Sequence, residues 1–385
     1  MGKNTRCLER SCMEQDIVAC GNSIEKMREL PDDSVDLIFA DPPYWMRVEG
    51  VLKRAEGTDF DGCDDEWDQF KTLDDYEQFT REWLSECYRV LKDDGSFWVI
   101  GSMQCIYTIG AIMQEIGFWF INDVVWHKKN PTPNFMGTRL NNSHETLIWA
   151  TKSKKSKFCF HYKTAKELNH DNVSDEEFAA GKRKQLGSVW RIGICQGTER
   201  IKDDEGNKLH STQKPDELLY RIIAISSDEG DLVLDPFGGT FTTAAIAKRL
   251  GRHYLSWDMD EKYVKYGKRR VENETYIPDD ISTAKFDIKP MKVKMEDMIS
   301  EGYFHAGERF LMRDKNTDGI TLKPNGKLDC NGEEINMHVA AARVRGVKAS
   351  RLNGFDYWYV DRDGKLVSIS DIREEYRRDK KKLAD

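Results

Sequence analysis

The sequence contains no uninterrupted apolar segment of the roughly 20 residues that a membrane-spanning helix needs. None of its 9 cysteines forms a C-x-x-C pair, and its 8 histidines are scattered along the chain. Closely spaced ligands are typical of zinc sites and regular cysteine patterns are typical of disulfide frameworks, so both classes are disfavoured. We therefore expect a cytoplasmic protein with reduced thiols, no bound metal and no membrane partner.

An excess of positive charge is also missing, because the formal net charge is −8 at pH 7. An acidic total argues weakly against a nucleic-acid partner, but the distribution of charge matters more than the sum. Basic runs occur at 152–157 ("KSKKSK"), 181–185 ("GKRKQ") and 377–382 ("RRDKKK"), whereas 59–68 is strongly acidic. A nucleic-acid partner therefore stays open.

Buried strands alternate with helices over the first two thirds of the chain. The apolar patterns predict strands over 34–40, 96–102, 118–128 and 146–152. They predict helices over 73–95 and 214–226, and another helix that follows the strand at 96–102 and ends at about 116. Residues 230–274 are predicted to form a strand, a glycine loop, a helix, a strand and a helix. This alternation predicts an α/β domain with a mostly parallel sheet and helices on both faces. Residues 153–210 are polar and irregular.

The last third of the chain has a different pattern. Residues 275–290 have the character of a linker, and short candidate strands follow it, separated by Asn-Gly and Asp-Gly turns. One of these candidate strands is "HVAAARVRG" (338–346). The pattern predicts a small β-rich domain over 291–385.

One segment joins a buried strand, a carboxylate and a glycine-rich turn. "LVLDPFGGTFTTAAIAKRL" places Asp235, Gly238 and Gly239 between a strand and a helix. Nucleoside-bearing ligands bind at such turns in open α/β sheets, since glycines let the ligand approach the backbone. Asp258 ends the next strand, at an offset that suits a ribose diol. A glycine turn that binds nothing fits this segment alone equally well.

The carboxylate at the start of this turn discriminates between nucleosides. Dinucleotide loops begin with glycine and accept a pyrophosphate at the helix N-terminus. Asp235 would repel a phosphate and attract an ammonium group, so a nicotinamide-dependent dehydrogenase is disfavoured. A ligand with an adenosine end, no phosphate and an α-amino group fits, and S-adenosylmethionine is such a ligand.

A second carboxylate follows another buried strand, in "FADPPYWM". Beside a methyl donor, Asp41 and the rigid backbone carbonyl of Pro42 suit a poor nucleophile such as the amino nitrogen of adenine. Both oxygens accept its hydrogens, and these bonds strengthen as the nitrogen becomes positive. Tyr44 offers a face for base stacking. A base inside a duplex cannot reach such a pocket, so it must be flipped out.

Together, these motifs resemble those of the β-class DNA amino-methyltransferases, in which the catalytic motif precedes the cofactor loop. The resemblance covers nearly the whole chain and includes "SVDLIFADPPY", "YEQFTREWL", "TQKPDELLYRII" and "LDPFGGTFTTAAIAKRLGR". The chain looks especially similar to the cell-cycle-regulated DNA adenine methyltransferases of bacteria, which modify adenine in GANTC. The resemblance implies a Rossmann-like, S-adenosylmethionine-dependent methyltransferase sheet, a small β-rich C-terminal domain, a double-stranded DNA substrate and a homodimer of bacterial or phage origin.

The resemblance also assigns parts of the chain. It implies a catalytic domain over 1–274 with circularly permuted motif order, DNA-recognition loops at 45–70, 129–145 and 153–210, a linker over 275–290 and a DNA-recognition domain over 291–385. By position, the implied catalytic residues are Asp41, Pro42, Pro43 and Tyr44. The implied cofactor contacts are Asn22, Gln213, Lys214, Asp235, Phe237, Gly238, Gly239, Thr242 and Asp258, and the implied DNA contacts are Arg47, Trp67, Asn134 and Arg139.

One departure from the family pattern stands in the cofactor loop. Phe241 occupies the place of the second glycine, where we expect its ring either to crowd the cofactor or to form part of its wall. Two other functions remain open. The protein could methylate the 4-amino group of cytosine, or it could be a DNA-binding relative that has lost catalysis, for which Phe241 is the hint.

Overall fold

The computed structural model describes residues 13–46, 70–133, 137–171, 173–288 and 290–382, together with the backbone of 52–53 and 59–60. The chain divides into two compact units, and the boundary falls after Ile288. No helix among the described residues is both long enough and apolar enough to span a bilayer.

The first unit contains an α/β sheet, a small hairpin and their helices. Its strands are β1 (Ile17–Cys20), β2 (Val35–Ala40), β3 (Leu52–Lys53), β4 (Asp59–Phe60), β5 (Leu91–Gly101), β6 (Trp119–Lys128), β7 (His144–Thr151), β8 (Val189–Ile192), β9 (Leu232–Asp235) and β10 (His253–Asp258). Its helices are α1 (Ser23–Arg28), α2 (Leu73–Val90), α3 (Ile106–Ile116), α4 (Tyr162–Glu167), α5 (Asp175–Ala179), α6 (Asp216–Ser226), α7 (Thr242–Arg249) and α8 (Glu261–Asn273).

The eight strands of the main sheet follow the order β1-β10-β9-β2-β5-β7-β6-β8. The first five strands in this order, β1, β10, β9, β2 and β5, are parallel. Strand β7 is antiparallel to both β5 and β6, and β8 is parallel to β6. Strands β2 and β9 are neighbours, with Leu37 opposite Val233. Because parallel strands end at the same edge of a sheet, Asp41 and Asp235 leave the sheet side by side.

Both faces of the sheet are covered, as the sequence predicts. The side chains of β2 alternate between two apolar clusters: Leu37 and Phe39 pack with α6 and α7, whereas Ile38 and Ala40 pack with α2 and α3. A strand buried on both faces needs the continuous apolar run that 35–40 supplies. The predicted fold class, an α/β sheet with helices on both faces and a separate small β-rich region, is confirmed.

Helix α2 ends earlier than the predicted 95. Its N-terminus has a capping box between Thr72 and Asp75, and its buried residues recur at helical spacing. Leu91 already takes an extended conformation and pairs with Val35 of β2. The helix therefore stops at Val90, because burial of Leu91 in the sheet overrides local helix propensity.

The segment 153–210 is more regular than its composition indicates. It contains α4, α5 and β8, and β8 extends the sheet by pairing with β6. Trp190 of β8 is buried, and Trp126 Nε1 donates to the backbone oxygen of Ile192 at 3.0 Å. Tertiary packing therefore stabilises this strand, which the weak pattern of its four residues does not predict.

The predicted linker over 275–290 differs from the structure, in which residues up to 288 belong to the first unit. Ile281 packs against the core, and Asp287 accepts hydrogen bonds from the backbone N–H groups of Lys163 and Thr164, each at 2.8 Å. The segment is therefore anchored where it lies beside α4.

The second unit has its own core around Phe304, Phe310 and Trp358. It contains α9 (Met295–Ser300), β11 (Ile320–Leu322), β12 (Leu328–Cys330), β13 (Glu333–Ile335), α10 (Met337–Arg345), β14 (Tyr359–Arg362), β15 (Lys365–Ser368) and α11 (Ile369–Lys382). The strand predicted over 338–346 is wrong, because this segment is α10. Asn336 caps the helix, and its alanines are strong helix formers that pack into the core.

Candidate active site

The edge of the sheet where β2 and β9 end opens onto a cavity of about 300 Å³. The structure brings the predicted catalytic and cofactor residues together around it. Its lining includes Asn22, Asp41, Pro42, Pro43, Tyr44, Gln213, Lys214, Asp235, Phe237, Gly238, Gly239, Thr242 and Asp258. Segments from opposite parts of the sequence therefore meet at one site.

The glycine turn after β9 is shaped by backbone geometry. Gly239 has a φ of +52°, and a Cβ on Gly238 would lie 2.5 Å from the ring of Phe241. The N–H of Gly239 donates to Oδ2 of Asp258 at 2.8 Å, which joins the turn to the end of β10. Burial raises the pKa of Asp258 to about 6. The carboxyl group at the predicted ribose position is thus held by the turn itself.

The two expectations for Phe241 are not met. Its ring is 0% exposed and packs in the core, in a space that Gly267 of α8 leaves open. The cavity lining includes its neighbours Thr240 and Thr242, while the ring points into the core beneath them. The ring of Phe241 therefore packs beneath the loop on the core side, where it neither crowds the cavity nor forms part of its wall.

Asp235 lies buried at the start of the turn. Thr243 Oγ1 donates to its Oδ2 at 2.5 Å, and the N–H of Phe237 donates to its Oδ1 at 3.0 Å. Burial raises the pKa of Asp235 to about 8. A cation beside this carboxyl group would favour its ionised form, which agrees with a preference for an ammonium group over a phosphate.

Two predicted cofactor residues use their polar atoms within the protein. The side chain of Asn22 caps α1 by accepting from the N–H of Ile24 at 2.9 Å. Gln213 accepts from the N–H of Ile201 and donates to the backbone oxygen of Glu199, both at 2.9 Å. These residues line the cavity and fix the segments that shape it.

Asp41 belongs to a buried network of charged side chains. Its Oδ2 accepts from Lys214 Nζ at 2.7 Å, and its Oδ1 lies 3.0 Å from the hydroxyl of Tyr44. The same hydroxyl lies 3.0 Å from Oε2 of Glu145, whose Oε1 accepts from Lys128 at 2.7 Å. Two lysines and two carboxylates thus surround the predicted catalytic tyrosine.

This surrounding charge affects each group differently. Burial raises the pKa of Asp41 despite the opposing charge of Lys214. Burial also raises the pKa of Glu145, but Lys214 and Lys128 outweigh it and hold that pKa below the ordinary value. The pKa of Tyr44 lies well above its usual range, because its buried hydroxyl faces both carboxylates. Tyr44 therefore remains protonated.

A second cavity of about 780 Å³ adjoins the same residues. It shares Tyr44 and Lys214 with the first cavity, and its lining adds Glu145 and the predicted DNA contact Arg139. Tyr44 therefore stands at the wall between two spaces. The other predicted DNA contacts, Arg47, Trp67 and Asn134, lie outside the described residues.

Three residues of the cavity linings, Glu145, Lys128 and His210, were not predicted from the sequence. Glu145 directly precedes the apolar run of β7, which is a usable signal, but a parallel strand would place it at the far edge of the sheet. Because β7 is antiparallel to β5, its start lies near the end of β2. His210 lines the first cavity, and burial lowers its pKa to about 4.

One group of metal-ligand types also occurs away from these cavity walls. Cys159, His161 and Asp228 place one ligand atom each within 4.8 Å of one another. Burial raises the pKa of Cys159 to about 12, so its thiol keeps the proton. The guanidinium of Arg252 donates to the backbone oxygen of Ser227 at 2.6 Å, beside this group. These three residues therefore form a hydrogen-bonded cluster in which the guanidinium of Arg252 supplies the positive charge.

A Rossmann-like sheet with a glycine turn and two carboxyl groups at the ends of adjacent strands is typical of enzymes that bind a nucleoside-bearing ligand. Residues 35–269 match the N6_N4_Mtase family, described as DNA methylase. The chain belongs to this family of DNA methyltransferases, and its methyl donor is S-adenosylmethionine.

Curated relatives extend over most of the chain. The chain is 45% identical over 357 residues to the type II methyltransferase M.HinfI of Haemophilus influenzae, a match that covers 92% of this chain and 95% of the relative. It is 34% identical over 259 residues to the type II methyltransferase M2.DpnII of Streptococcus pneumoniae, covering 67% of this chain and 90% of the relative.

Solved structures give more distant matches. The complex of M1.HpyAVI with SAM is 23% identical, has a TM-score of 0.46, and the match covers 66% of this chain and 97% of that one. The cytosine-N4-specific PvuII DNA methyltransferase is 20% identical with a TM-score of 0.48, and the match covers 69% of this chain and 88% of that one.

The residues of the first cavity fit the methyl donor. Asp235 and Asp258 supply carboxyl groups in its lining, and Lys214, which shares that lining, is neutralised by Asp41. Gly239, with a φ of +52°, lines the cavity without a side chain, so the turn presents backbone to it. When bound, the donor supplies an electrophilic methyl group on a sulfonium sulfur.

Proposed function

We propose that this protein methylates the 6-amino group of adenine in double-stranded DNA, at a flipped-out base within GANTC. The single observation that carries the methyl-transfer part of the proposal is the adjacency of β2 and β9. This adjacency places Asp41 and Tyr44 beside the cofactor turn of Asp235, around one cavity. The second cavity, beyond Tyr44, offers space for an extruded base.

We assign the residues the following roles, which their geometry supports. Asp41 and the backbone oxygen of Pro42 accept the hydrogens of the amino group, and this interaction strengthens as the nitrogen becomes positive. The backbone oxygen of Pro43 accepts from the hydroxyl of Tyr76 at 3.0 Å, which anchors the rigid motif on α2. The ring of Tyr44 stacks on the base, and Lys214 Nζ lies 5.1 Å from the centre of that ring.

Asp41 is also the group that receives a proton. Methylation leaves a positively charged nitrogen, which must lose one proton to become a neutral secondary amine. Burial raises the pKa of Asp41, and this favours transfer of that proton to its carboxylate. The acceleration otherwise comes from holding the nucleophile in line with the methyl group.

Adenine is favoured by the aspartate at position 41 and by the resemblance to the cell-cycle-regulated adenine methyltransferases. GANTC rests on that resemblance. The family description covers both N6 and N4 amino groups, so the 4-amino group of cytosine is the second candidate. We further propose that the second unit recognises DNA, with exposed Lys348 and Arg351 beyond α10, and that the protein acts as a cytoplasmic homodimer.

The test is transfer of a tritiated methyl group from S-adenosylmethionine to unmethylated duplexes with and without GANTC, followed by identification of the labelled base. We expect 6-methyladenine in the GANTC duplex. Labelled cytosine would replace the adenine proposal, and DNA binding without label would favour a catalytically inactive relative.

The Asp41→Ala variant locates the chemistry. It should abolish transfer and leave DNA binding largely unchanged, because the carboxylate acts on the nitrogen that becomes positive. Asp32→Ala is the matched control, since it removes an aspartate that is 73% exposed and paired with Arg89. Turnover by Asp41→Ala at the rate of this control would contradict the assignment.

A further inference from the structure

We infer that Glu145 is a positioning residue for methyl transfer. It accepts the hydrogen bond from the hydroxyl of Tyr44 and thereby leaves Asp41 available to the amino group of the base. This inference rests on the proposed function but not on whether the base is adenine or cytosine. It assigns a task to a carboxylate that the catalytic motif does not contain.

The geometry at Tyr44 creates a competition for one hydrogen atom. The hydroxyl oxygen lies 3.0 Å from Asp41 Oδ1 and 3.0 Å from Glu145 Oε2. A phenol carries a single hydrogen, so it can donate to one carboxylate at a time. The orientation of this hydrogen therefore has two states, and the occupied state decides which carboxylate keeps its full capacity as an acceptor.

Each carboxylate oxygen of Asp41 has about two acceptor sites, so the substrate is bound most strongly at the oxygen with the weaker competing donor. Its Oδ2 accepts from the charged Lys214 Nζ at 2.7 Å, which makes Oδ1 the less engaged oxygen for an amino hydrogen. A hydrogen donated by Tyr44 to Oδ1 would draw on the same electron density. Methyl transfer is thus favoured by the state in which Tyr44 donates to Glu145.

Glu145 is well placed to win this competition. Its side chain is 12% exposed, and Lys128 Nζ holds its other oxygen at 2.7 Å. Lys128 is on β6 and Glu145 is on the antiparallel neighbour β7, so the pair is fixed by the sheet. The nearby lysines keep Glu145 ionised, and an ionised carboxylate is the stronger hydrogen-bond acceptor.

The test is the kcat of three variants at saturating DNA and cofactor. Glu145→Gln should lower kcat by about 10- to 100-fold, since small errors in positioning at a reacting centre have effects of this size. Tyr44→Phe should lower kcat less, because it removes the competing hydrogen and keeps the ring. The double variant should then have a kcat at or above that of Glu145→Gln, because no hydroxyl remains to engage Asp41.

A structural role for Glu145 gives a different result, in which the two losses multiply and the double variant is slower than Glu145→Gln. That result, or a Glu145→Gln variant with wild-type kcat, would overturn the inference. The matched control is Glu115→Gln, which removes a 60% exposed carboxylate paired with Arg81. S-adenosylhomocysteine affinity of Glu145→Gln and Glu115→Gln should agree with that of the wild type within about twofold, because neither residue is in the lining of the cofactor cavity.

The same experiment separates this inference from the proposed function. If the wild-type protein transfers no methyl group to DNA, the proposed function fails and the role of Glu145 fails with it. If the wild-type protein is active and the losses multiply, only the role of Glu145 fails.

Discussion

Phe241 combines an unfavourable backbone with a favourable side chain. Its φ of 55° is left-handed, which costs a residue other than glycine about 1–3 kcal/mol. Its ring is fully buried, and burial of a phenylalanine side chain contributes about 1.5–3 kcal/mol. The two effects are of similar size, so the ring stabilises a turn conformation that glycine would adopt without strain.

Phe241→Ala should therefore affect stability and leave cofactor binding nearly unchanged. We expect the free energy of unfolding to fall by about 3–5 kcal/mol, because a buried ring is lost and the left-handed backbone remains. Urea denaturation measures the first effect, and calorimetry with S-adenosylhomocysteine on the folded variant measures the second. Phe237→Ala is the contrasting control, since Phe237 lines the cavity. Weaker cofactor binding at unchanged stability would contradict the position of the Phe241 ring.

Asp235 predicts a pH dependence of cofactor affinity. Its pKa is about 8, so it holds a proton below that pH, and a cationic ligand favours the ionised form. Binding therefore releases a proton, and affinity should rise with pH up to about 8, by at most about tenfold per pH unit. Calorimetry with S-adenosylhomocysteine in buffers of different ionisation enthalpy detects the proton. Asp235→Asn should flatten the profile between pH 6 and 8, and a wild-type profile that is already flat would refute the prediction.

At the scale of single residues, the sequence identifies groups whose chemistry is local. Asp41 and Asp235 each follow a buried apolar strand, so their place at the sheet edge could be predicted. Glu145 could not be placed, because its position depends on the direction of β7. The ring of Phe241 fills the space that Gly267 leaves on α8, and this contact between α8 and the cofactor loop has no signature in the sequence.

The predicted elements of the first unit succeed where apolar periodicity is strong. Strand β2 and helix α2 show this, since their patterns are long or fully buried. Strand β8 of the first unit and helix α10 of the second do not: β8 is stabilised by Trp190 in the core, and α10 contains the sequence "HVAAARV", in which four helix formers separate the two valines. Tertiary packing decides such short segments, and the local pattern alone cannot.

Asp287 should act as an anchor for the start of α4. It accepts from the N–H groups of Lys163 and Thr164 and from the hydroxyl of Thr164 at 2.9 Å. Asp287→Ala should lower the free energy of unfolding by about 1–3 kcal/mol, because the N–H and hydroxyl of buried Thr164 lose their acceptor. Hydrogen exchange should be faster at Lys163 and Thr164.

The control for this variant is Asp280→Ala, which removes a carboxylate that is 51% exposed and paired with Lys285. Exposed pairs contribute about 0–1 kcal/mol, so this change should be nearly neutral. Equal effects of the two variants would show that the segment before 288 is not anchored through Asp287.

At the scale of the whole molecule, the chain has two units with separate cores. The first is built around the sheet, and the second around Phe304, Phe310 and Trp358. A unit with its own core can fold by itself. The two units can therefore be assigned separate tasks, and these tasks can be tested separately.

Residues 1–288 alone should bind S-adenosylhomocysteine with the affinity of the full chain, because the whole cavity lining belongs to the first unit. DNA binding, measured by fluorescence anisotropy with a GANTC duplex, should be weaker. Its salt dependence should also be less steep, since fewer phosphates are contacted. A truncated protein with full DNA affinity would remove the recognition role from the second unit.

Because β2 and β9 are neighbours in the sheet and not in the sequence, the site does not need an unbroken chain between them. Asp41 and Asp235 come from opposite ends of the first unit, and the turn around Gly206 between them is exposed. A gene divided at this turn would encode two fragments, each with one half of the chemistry. Methyl marks on DNA would then appear only where the two fragments associate, so fragments fused to two other proteins would report whether those proteins bind each other.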